Sequence, residues 1–403
     1  MSELTAKLEE ITKEKSGVKR LTLSDFRNYK KLRIEAEISP IIITGENGSG
    51  KTNILEAISF LTPGRGLRSS KLADIRRISA TEEELLNFNT GWSVAAEILK
   101  NNEEHLIGTG TQKSFREDLE EDEIKNFERR IVKINQQKIT QQAELGKYIS
   151  AIWVTPQMDR LFLGGTQPRR SFLDRLVYAF DLEHAKRTAN FEHLYRQWFQ
   201  ILKTGHADEH WLQSVELDMA TLGVAIAAAR RELIARLNTF IEHEPDDVFP
   251  DVRLELDGTI EKMLNTLPAV KVEQFYTEQL ARQRRNVLYN DYVDGVNRTD
   301  FKVYFKKKNM PAELCSTGEQ KALLVSIILA QTKCQILDKG FAPILLLDEV
   351  TTHLDDKKRN ALLRKVADLH LQAWITSTES QNFDTIKNIS QFFEVKNNQI
   401  FHK

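Results

Sequence analysis

The sequence predicts an α/β fold in which a mixed sheet is interrupted by a long helical insertion. Three observations carry that expectation. A short β-branched run, Ile41-Ile42-Ile43-Thr44, leads into a glycine-rich turn and then into a segment with helical spacing. A second apolar run far downstream, Ile344-Leu345-Leu346-Leu347, closes on Asp348-Glu349. Between the two, residues 169–242 keep helical periodicity almost without a break.

The elements follow in order. Residues 1–17 are polar and compatible with a helix. Residues 18–26 and 32–38 alternate apolar and polar positions, as half-buried strands do. Ile41 to Thr44 reads as a strand buried on both faces, and Ile54, Leu55, Ile58, Phe60 and Leu61 have the spacing of the next helix. Short strands are expected at 92–98, 131–134 and 152–155, broken by an acidic stretch at 117–123 that reads as a solvated loop. The helical region carries three apolar stripes: Phe172, Leu173, Leu176, Val177 and Phe180; Phe191, Leu194, Trp198, Ile201 and Leu202; Ile226, Leu233, Leu237 and Phe240. Such stripes are packing faces. Strand patterning returns at 252–256, a helix at 272–287, a strand at 301–305, and an αβαβ pattern after Thr317.

Composition sets the outer bounds. With 403 residues and 41% hydrophobic content, the chain can build two or three domains around real cores. Two cysteines, Cys315 and Cys334, are too few for a disulfide framework or a cysteine zinc site. No apolar run approaches the roughly 18 residues of a membrane span, and the N-terminus lacks the apolar stretch of a signal peptide, so no membrane partner is expected. His184, His193, His206 and His210 have no convincing metal-ligand spacing and read as structural or surface residues. A net charge of −1 argues against a strongly basic, constitutive nucleic-acid binder.

Gly45-Glu46-Asn47-Gly48-Ser49-Gly50-Lys51-Thr52 fits the phosphate-loop pattern G-x-x-x-x-G-K-[ST]. Glycines let successive backbone amides converge on a β-phosphate, Lys51 neutralises the β and γ oxygens, and the Thr52 hydroxyl suits Mg²⁺. The following helix adds its positive N-terminal end. Asp348, ending the second apolar strand, is then expected to reach Mg²⁺. Glu349 is placed to polarise a water for attack on a γ-phosphate. ATP and Mg²⁺ are the expected ligands.

Ser316-Thr317-Gly318-Glu319-Gln320 before a helix resembles the S-G-G-Q signature of ABC-type ATPases, and His353-Leu354-Asp355 resembles their D-loop. Gln157 is the Q-loop candidate. Three further segments resemble the bacterial RecF family: Leu23-Ser24-Asp25-Phe26-Arg27-Asn28-Tyr29, Gly64-Arg65-Gly66-Leu67-Arg68 and Arg169-Arg170-Ser171-Phe172-Leu173-Asp174. Two segments depart from the pattern. Gly295 to Phe301 keeps only the glycine, the arginine and the second acid of a G-P-H-R-D-D-L segment, and Ser377-Thr378 stands where ABC cassettes carry a switch histidine.

The resemblance implies an ABC-type head, with a mixed sheet and an antiparallel β subdomain, carrying an inserted α-helical arm. The expected boundaries are 1–17 for an N-terminal extension, 18–155 for the first lobe, 156–290 for the arm, and 291–403 for the signature and closing part. It also implies that Arg27, Asn28 and Asn53 join the nucleotide site and that Gln157 joins Thr52 and Asp348 at Mg²⁺. Ser316 to Gln320 would act across an ATP-sandwiched homodimer, with Leu354 and Asp355 in the D-loop. The implied activity is slow, DNA-dependent ATP hydrolysis in recombinational repair on duplex and gapped DNA, with RecO and RecR as partners, in the cytoplasm at the nucleoid. The alternative is an ATP-gated clamp or binding module with negligible turnover. Candidate DNA contacts are Arg65, Arg68, Lys71, Arg76, Arg77, Arg282, Arg284, Arg285 and the Lys306-Lys307-Lys308 run.

Overall fold

The computed structural model describes residues 3–77, 91–114, 127–204, 208–243, 248–290, 293–352 and 354–403. The acidic stretch 117–123, His206 and His353 lie outside the described residues. The chain divides into two compact units, Met1–Met158 with Gln335–Lys403, and Asp159–Cys334. The sequence suggests the corresponding boundaries at 156 and 291, so the structure assigns more of the chain to the second unit.

The first unit opens with helix α1 (Glu3–Lys13), followed by the hairpin β1 (Gly17–Phe26) and β2 (Tyr29–Glu35). The hairpin closes tightly, pairing Phe26 with Tyr29, with Arg27 at φ 55°. That turn is why the second strand begins at Tyr29 rather than at 32. Next come β3 (Ile41–Thr44), α2 (Lys51–Ser59), and β4 (Ser93–Lys100) to β5 (Glu103–Ser114), β6 (Phe127–Ile134), β7 (Gln137–Ile139) and β8 (Ala151–Val154).

The chain then builds the second unit from α3 (Thr166–Tyr178), α4 (His184–Thr204), α5 (Glu209–His243), β9 (Val252–Asp257), α6 (Thr259–Met263), α7 (Ala269–Asn290), β10 (Asp300–Phe305) and β11 (Met310–Pro311). It returns to the first unit within α8 (Thr317–Lys339) and finishes with β12 (Ile344–Asp348), α9 (Asp356–Asp368), β13 (Ala373–Ser377), β14 (Gln391–Lys396) and β15 (Gln399–His402).

Two sheets make the first unit. One is antiparallel, in the order β2-β1-β4-β5-β6-β7. The other runs β15-β14-β3-β13-β12-β8 and is parallel except for the β14–β15 hairpin. Strands β3, β12 and β13 are buried along their whole length, the pattern of a parallel sheet covered on both faces. The fully buried amide of Gln372 joins the two sheets: it donates to Val18 O (2.7 Å) and Glu37 O (2.8 Å) and accepts from Val18 N–H (2.8 Å).

In the second unit Phe191, Trp198, Leu212, Met219, Val224, Val272, Tyr276 and Leu280 pack α4, α5 and α7 into one core. Helix α5 is long and apolar enough over one stretch to pass for a membrane span by length and composition, a reach the apolar runs in the sequence do not suggest. Half of that stretch is buried, and its apolar positions serve this core. The segment Arg169 to Asp174 supplies polar struts, of which Asp174 is buried and the two arginines are half-buried. Arg169 grips both carboxylate oxygens of Asp300 (2.8 and 2.9 Å), and Arg170 donates to Thr299 O (3.2 Å). Asp174 accepts from Arg230 at both oxygens (2.8 and 2.9 Å) and meets His184 Nε2 at 2.9 Å.

Candidate nucleotide site

The glycine-rich turn leaves the buried end of β3 and enters α2 at Lys51. Gly50 stands immediately before the helix at φ 107°, a left-handed conformation open to glycine. A Cβ there would collide with the Asn28 side-chain amide and lie 2.7 Å from Tyr29 Oη. Tyr29 Oη donates to Gly50 O (3.1 Å) and Asn28 Nδ2 to Ser49 O (3.2 Å), so the β1–β2 turn is built directly onto the loop. Asn53 completes the frame by donating to Asn28 Oδ1 (2.7 Å). Glu46, Asn47 and Gly48 form the exposed crest.

Lys51 is 5% exposed, and its ammonium donates to the carbonyls of Gly45 (2.7 Å) and Glu46 (2.8 Å). Burial pulls its pKa below the ordinary lysine value, against the opposing charges of Glu349 and Asp348. The buried Ser49 Oγ has no hydrogen-bond partner among the described residues. A desolvated ammonium curled into the loop beside an unpartnered hydroxyl fits an anionic ligand, because a phosphate oxygen satisfies both groups.

The strand-end residues converge on the same place. Thr52 Oγ1 donates to the Asp348 carboxylate at 2.9 and 3.1 Å, and Thr376 Oγ1 donates to Asp348 Oδ1 at 2.7 Å. The Glu349 amide donates to that same Thr376 hydroxyl at 3.0 Å. Parallel pairing of Asp348 with Thr376 sets this contact. Glu349 sits at φ 48°, a left-handed conformation costing a non-glycine residue about 1 kcal/mol. The bend takes the chain off the strand immediately after Asp348. A threonine hydroxyl beside a buried carboxylate is the hard-oxygen donor set that suits Mg²⁺.

The other expected residues are placed as follows. Gln157 is exposed in the turn Pro156–Arg160 after β8, the strand that pairs with β12. Arg27 is drawn into structure: it donates to both oxygens of the fully buried Glu56 carboxylate and to Asp74 O (2.7 Å) and Ser70 Oγ (2.7 Å). Leu354 is buried, and Asp355 caps α9 by accepting from Lys358 N–H (2.9 Å). Ser377 is buried with its Oγ accepting from Glu379 N–H (3.1 Å), while Thr378 is exposed.

In the second unit, Ser316 precedes α8 and forms a reciprocal cap with Glu319. Gln320 Nε2 donates back to Cys315 O (2.9 Å).

Of the basic candidates, Arg68 pairs with Glu56, Arg77 with Asp25, Arg282 with Glu278, Arg284 with Glu209 and Glu216, and Lys306 with Glu242. Arg76 is partly buried and is also engaged. Arg65, Lys71, Arg285 and Lys307 are exposed and have no ion-pair partner among the described residues. Thr376 carries no signal in the sequence, because a threonine ending an apolar strand looks like an ordinary β-branched sheet residue.

The family described as the RecF/RecN/SMC N-terminal domain matches residues 17–400. The DNA replication and repair protein RecF of Allorhizobium ampelinum is 38% identical over 384 residues, covering 95% of this chain and 98% of its own. Two solved structures of the recombination mediator protein RecF in the RecFOR pathway share the fold. The complex with ATPrS has a TM-score of 0.80 at 19% identity, covering 96% of this chain and 98% of its own. The complex with ATP has a TM-score of 0.72 at 20% identity, covering 96% and 99%.

Proposed function

Because this chain belongs to the RecF family, within the wider RecF/RecN/SMC N-terminal-domain family, it is an ATP-binding protein of DNA repair with an ABC/SMC-type ATPase fold, and we propose that it works as a slow, DNA-stimulated ATPase switch. The observation that carries the reading is the hydrogen-bonded chain from Thr52 through Asp348 and Thr376 to the Glu349 amide, beside the buried ammonium of Lys51.

Gly45 to Asn53 cradle the triphosphate, with Lys51 on its β and γ oxygens. Asn28 holds the loop from the β1–β2 turn, and Arg27 ties the same turn to Glu56 of α2. Thr52, Asp348 and Gln157 hold Mg²⁺, which when bound neutralises charge on the phosphate oxygens. Glu349 takes a proton from water as the water oxygen attacks the γ-phosphorus; the bond to the β–γ bridging oxygen breaks, leaving ADP and phosphate. Ser316, with the amides opening α8, meets the partner subunit's γ-phosphate, so two ATP molecules join two protomers. Leu354 and Asp355 line the same joint. Hydrolysis removes the bridging phosphate, and the dimer opens.

DNA is the proposed load: duplex and gapped DNA held through phosphates by basic side chains, with RecO and RecR as partners in the cytoplasm. One observation favours slow turnover and keeps a nearly silent ATP-gated clamp as the second reading. Strand β13 ends in Ser377, whose hydroxyl can only hydrogen-bond, where a histidine could also carry charge.

The test is fluorescence anisotropy on gapped, duplex and single-stranded DNA with and without ATP, using wild type and Lys51→Arg. The reading expects ATP-enhanced, salt-sensitive binding to the first two, lost in the variant. Binding indifferent to ATP and to Lys51 would remove it. Phosphate release with and without gapped DNA separates the two readings: stimulated release supports the ATPase, and none at all leaves the clamp.

A further inference from the structure

The signature-like segment carries a glutamate, Glu319, in the position filled by glutamine in the S-G-G-Q pattern it resembles. Glu319 Oε2 accepts from Ser316 N–H (3.0 Å) and from Ser316 Oγ (3.1 Å), and the Glu319 amide returns a hydrogen bond to Ser316 Oγ (3.4 Å). A carboxylate therefore lies within hydrogen-bond reach of the hydroxyl that the proposed function directs at a triphosphate. Two anions meeting at one hydroxyl repel each other.

The structure also contains the compensation. The other carboxylate oxygen of Glu319 pairs with Lys308 Nζ. Lys308 ends the turn Lys306–Lys308, after which Asn309, at φ 45°, reverses the chain into β11. Pairing of Tyr304 with Pro311 and of Phe305 with Met310 fixes that reversal, and Lys308 Nζ lies 5.3 Å from the centre of the Phe305 ring. Lys308 is 47% exposed and Glu319 27%, so a second protomer can reach the pair. Lys308 first, and the Ser316 amide second, hold the Glu319 carboxyl down at about 2, which keeps it ionised at any working pH.

We propose that Lys308 is a positioning residue whose ammonium offsets the Glu319 carboxylate, so that the anionic triphosphate on a second copy of this chain can approach Ser316. The inference rests on the reading that Ser316 meets that triphosphate across the dimer. Lys306 and Lys307 lie in the same turn without sharing this role, since Lys306 pairs with Glu242 and Lys307 has no ion-pair partner among the described residues. Removing the Lys308 charge leaves Glu319 facing the incoming triphosphate alone and weakens ATP-driven association roughly tenfold.

The experiment is light scattering of the full chain over a range of protein concentrations, with and without ATP. The proteins are wild type, Lys308→Arg, Lys308→Met, the double variant Lys308→Met with Glu319→Gln, and Ser316→Arg. Thermal melting without nucleotide and ATP binding to the monomer check that each variant is folded. The expected result is a roughly tenfold loss in Lys308→Met, retention in Lys308→Arg and recovery in the double variant. Unchanged association of Lys308→Met overturns the proposal. So does a loss that Glu319→Gln fails to rescue, since Lys308 would then act on something other than Glu319. If Ser316→Arg associates as wild type does, the fault lies with the reading of Ser316 itself, and the proposal about Lys308 falls with it.

Discussion

The Thr376 hydroxyl donates to Asp348 and accepts from the Glu349 amide, so one side chain sets the direction of both acidic residues. Thr376→Val keeps the shape and removes both bonds. Steady-state phosphate release is expected to fall about tenfold to a hundredfold, the worth of one charge-assisted hydrogen bond. Thr376→Ser should restore most of it. Lys339 makes a different kind of prediction: burial pushes its ammonium down to about 8 from an ordinary value of 10.5. A lysine lowered in this way destabilises the folded state below about pH 8, and the penalty lifts as pH rises toward 10.5. Lys339→Met should therefore gain roughly 1–3 kcal/mol in urea unfolding at pH 7, with the gain fading toward pH 10. At this scale the phosphate loop and Asp348-Glu349 could be read as candidates, because each motif is contiguous in the chain, and the structure brings Thr52 of the first onto Asp348 of the second. Thr376 could not be, because its importance comes from pairing in register with a strand ending 28 positions earlier in the chain.

Among elements, the parallel strands announced themselves by unbroken apolar runs, and the helices of the second unit by their stripes. In the segment Arg169 to Asp174 the apolar pair Phe172-Leu173 was legible as part of a helical stripe, but its charged residues only as a likeness. Their physical meaning needed Asp300, Arg230 and His184, which come from three other elements. The same holds for the Gly295 to Phe301 segment: the acid it keeps, Asp300, is the one that Arg169 grips. Asp174 and Arg230 are both almost wholly buried, so removing one charge strands the other. Asp174→Asn should cost about 3–5 kcal/mol, read as a lower urea midpoint with an unchanged slope. A cost below about 1 kcal/mol would mean that the pair does not hold α3 to α5.

For the whole molecule, the net charge of −1 says little about DNA, because most of the basic candidates are engaged by acids. Arg68, Arg77, Arg282, Arg284 and Lys306 all have carboxylate partners, while Arg65, Lys71, Arg285 and Lys307 present charge to solvent with no ion-pair partner among the described residues. No chain-wide sum could separate these two groups, since pairing is decided by the fold. What the sequence did carry at this scale was the order of the motifs along the chain. The most direct test mixes two inactive variants. Lys51→Arg disables the phosphate loop and Ser316→Arg disables the signature, so each protein alone should release phosphate slowly. If Ser316 works across the dimer, a mixed pair contains one site with both parts intact, and ATP turnover should reappear on mixing. If both parts belong to the same protomer, no combination holds an intact site. Turnover that stays at the level of the separate variants would contradict the account.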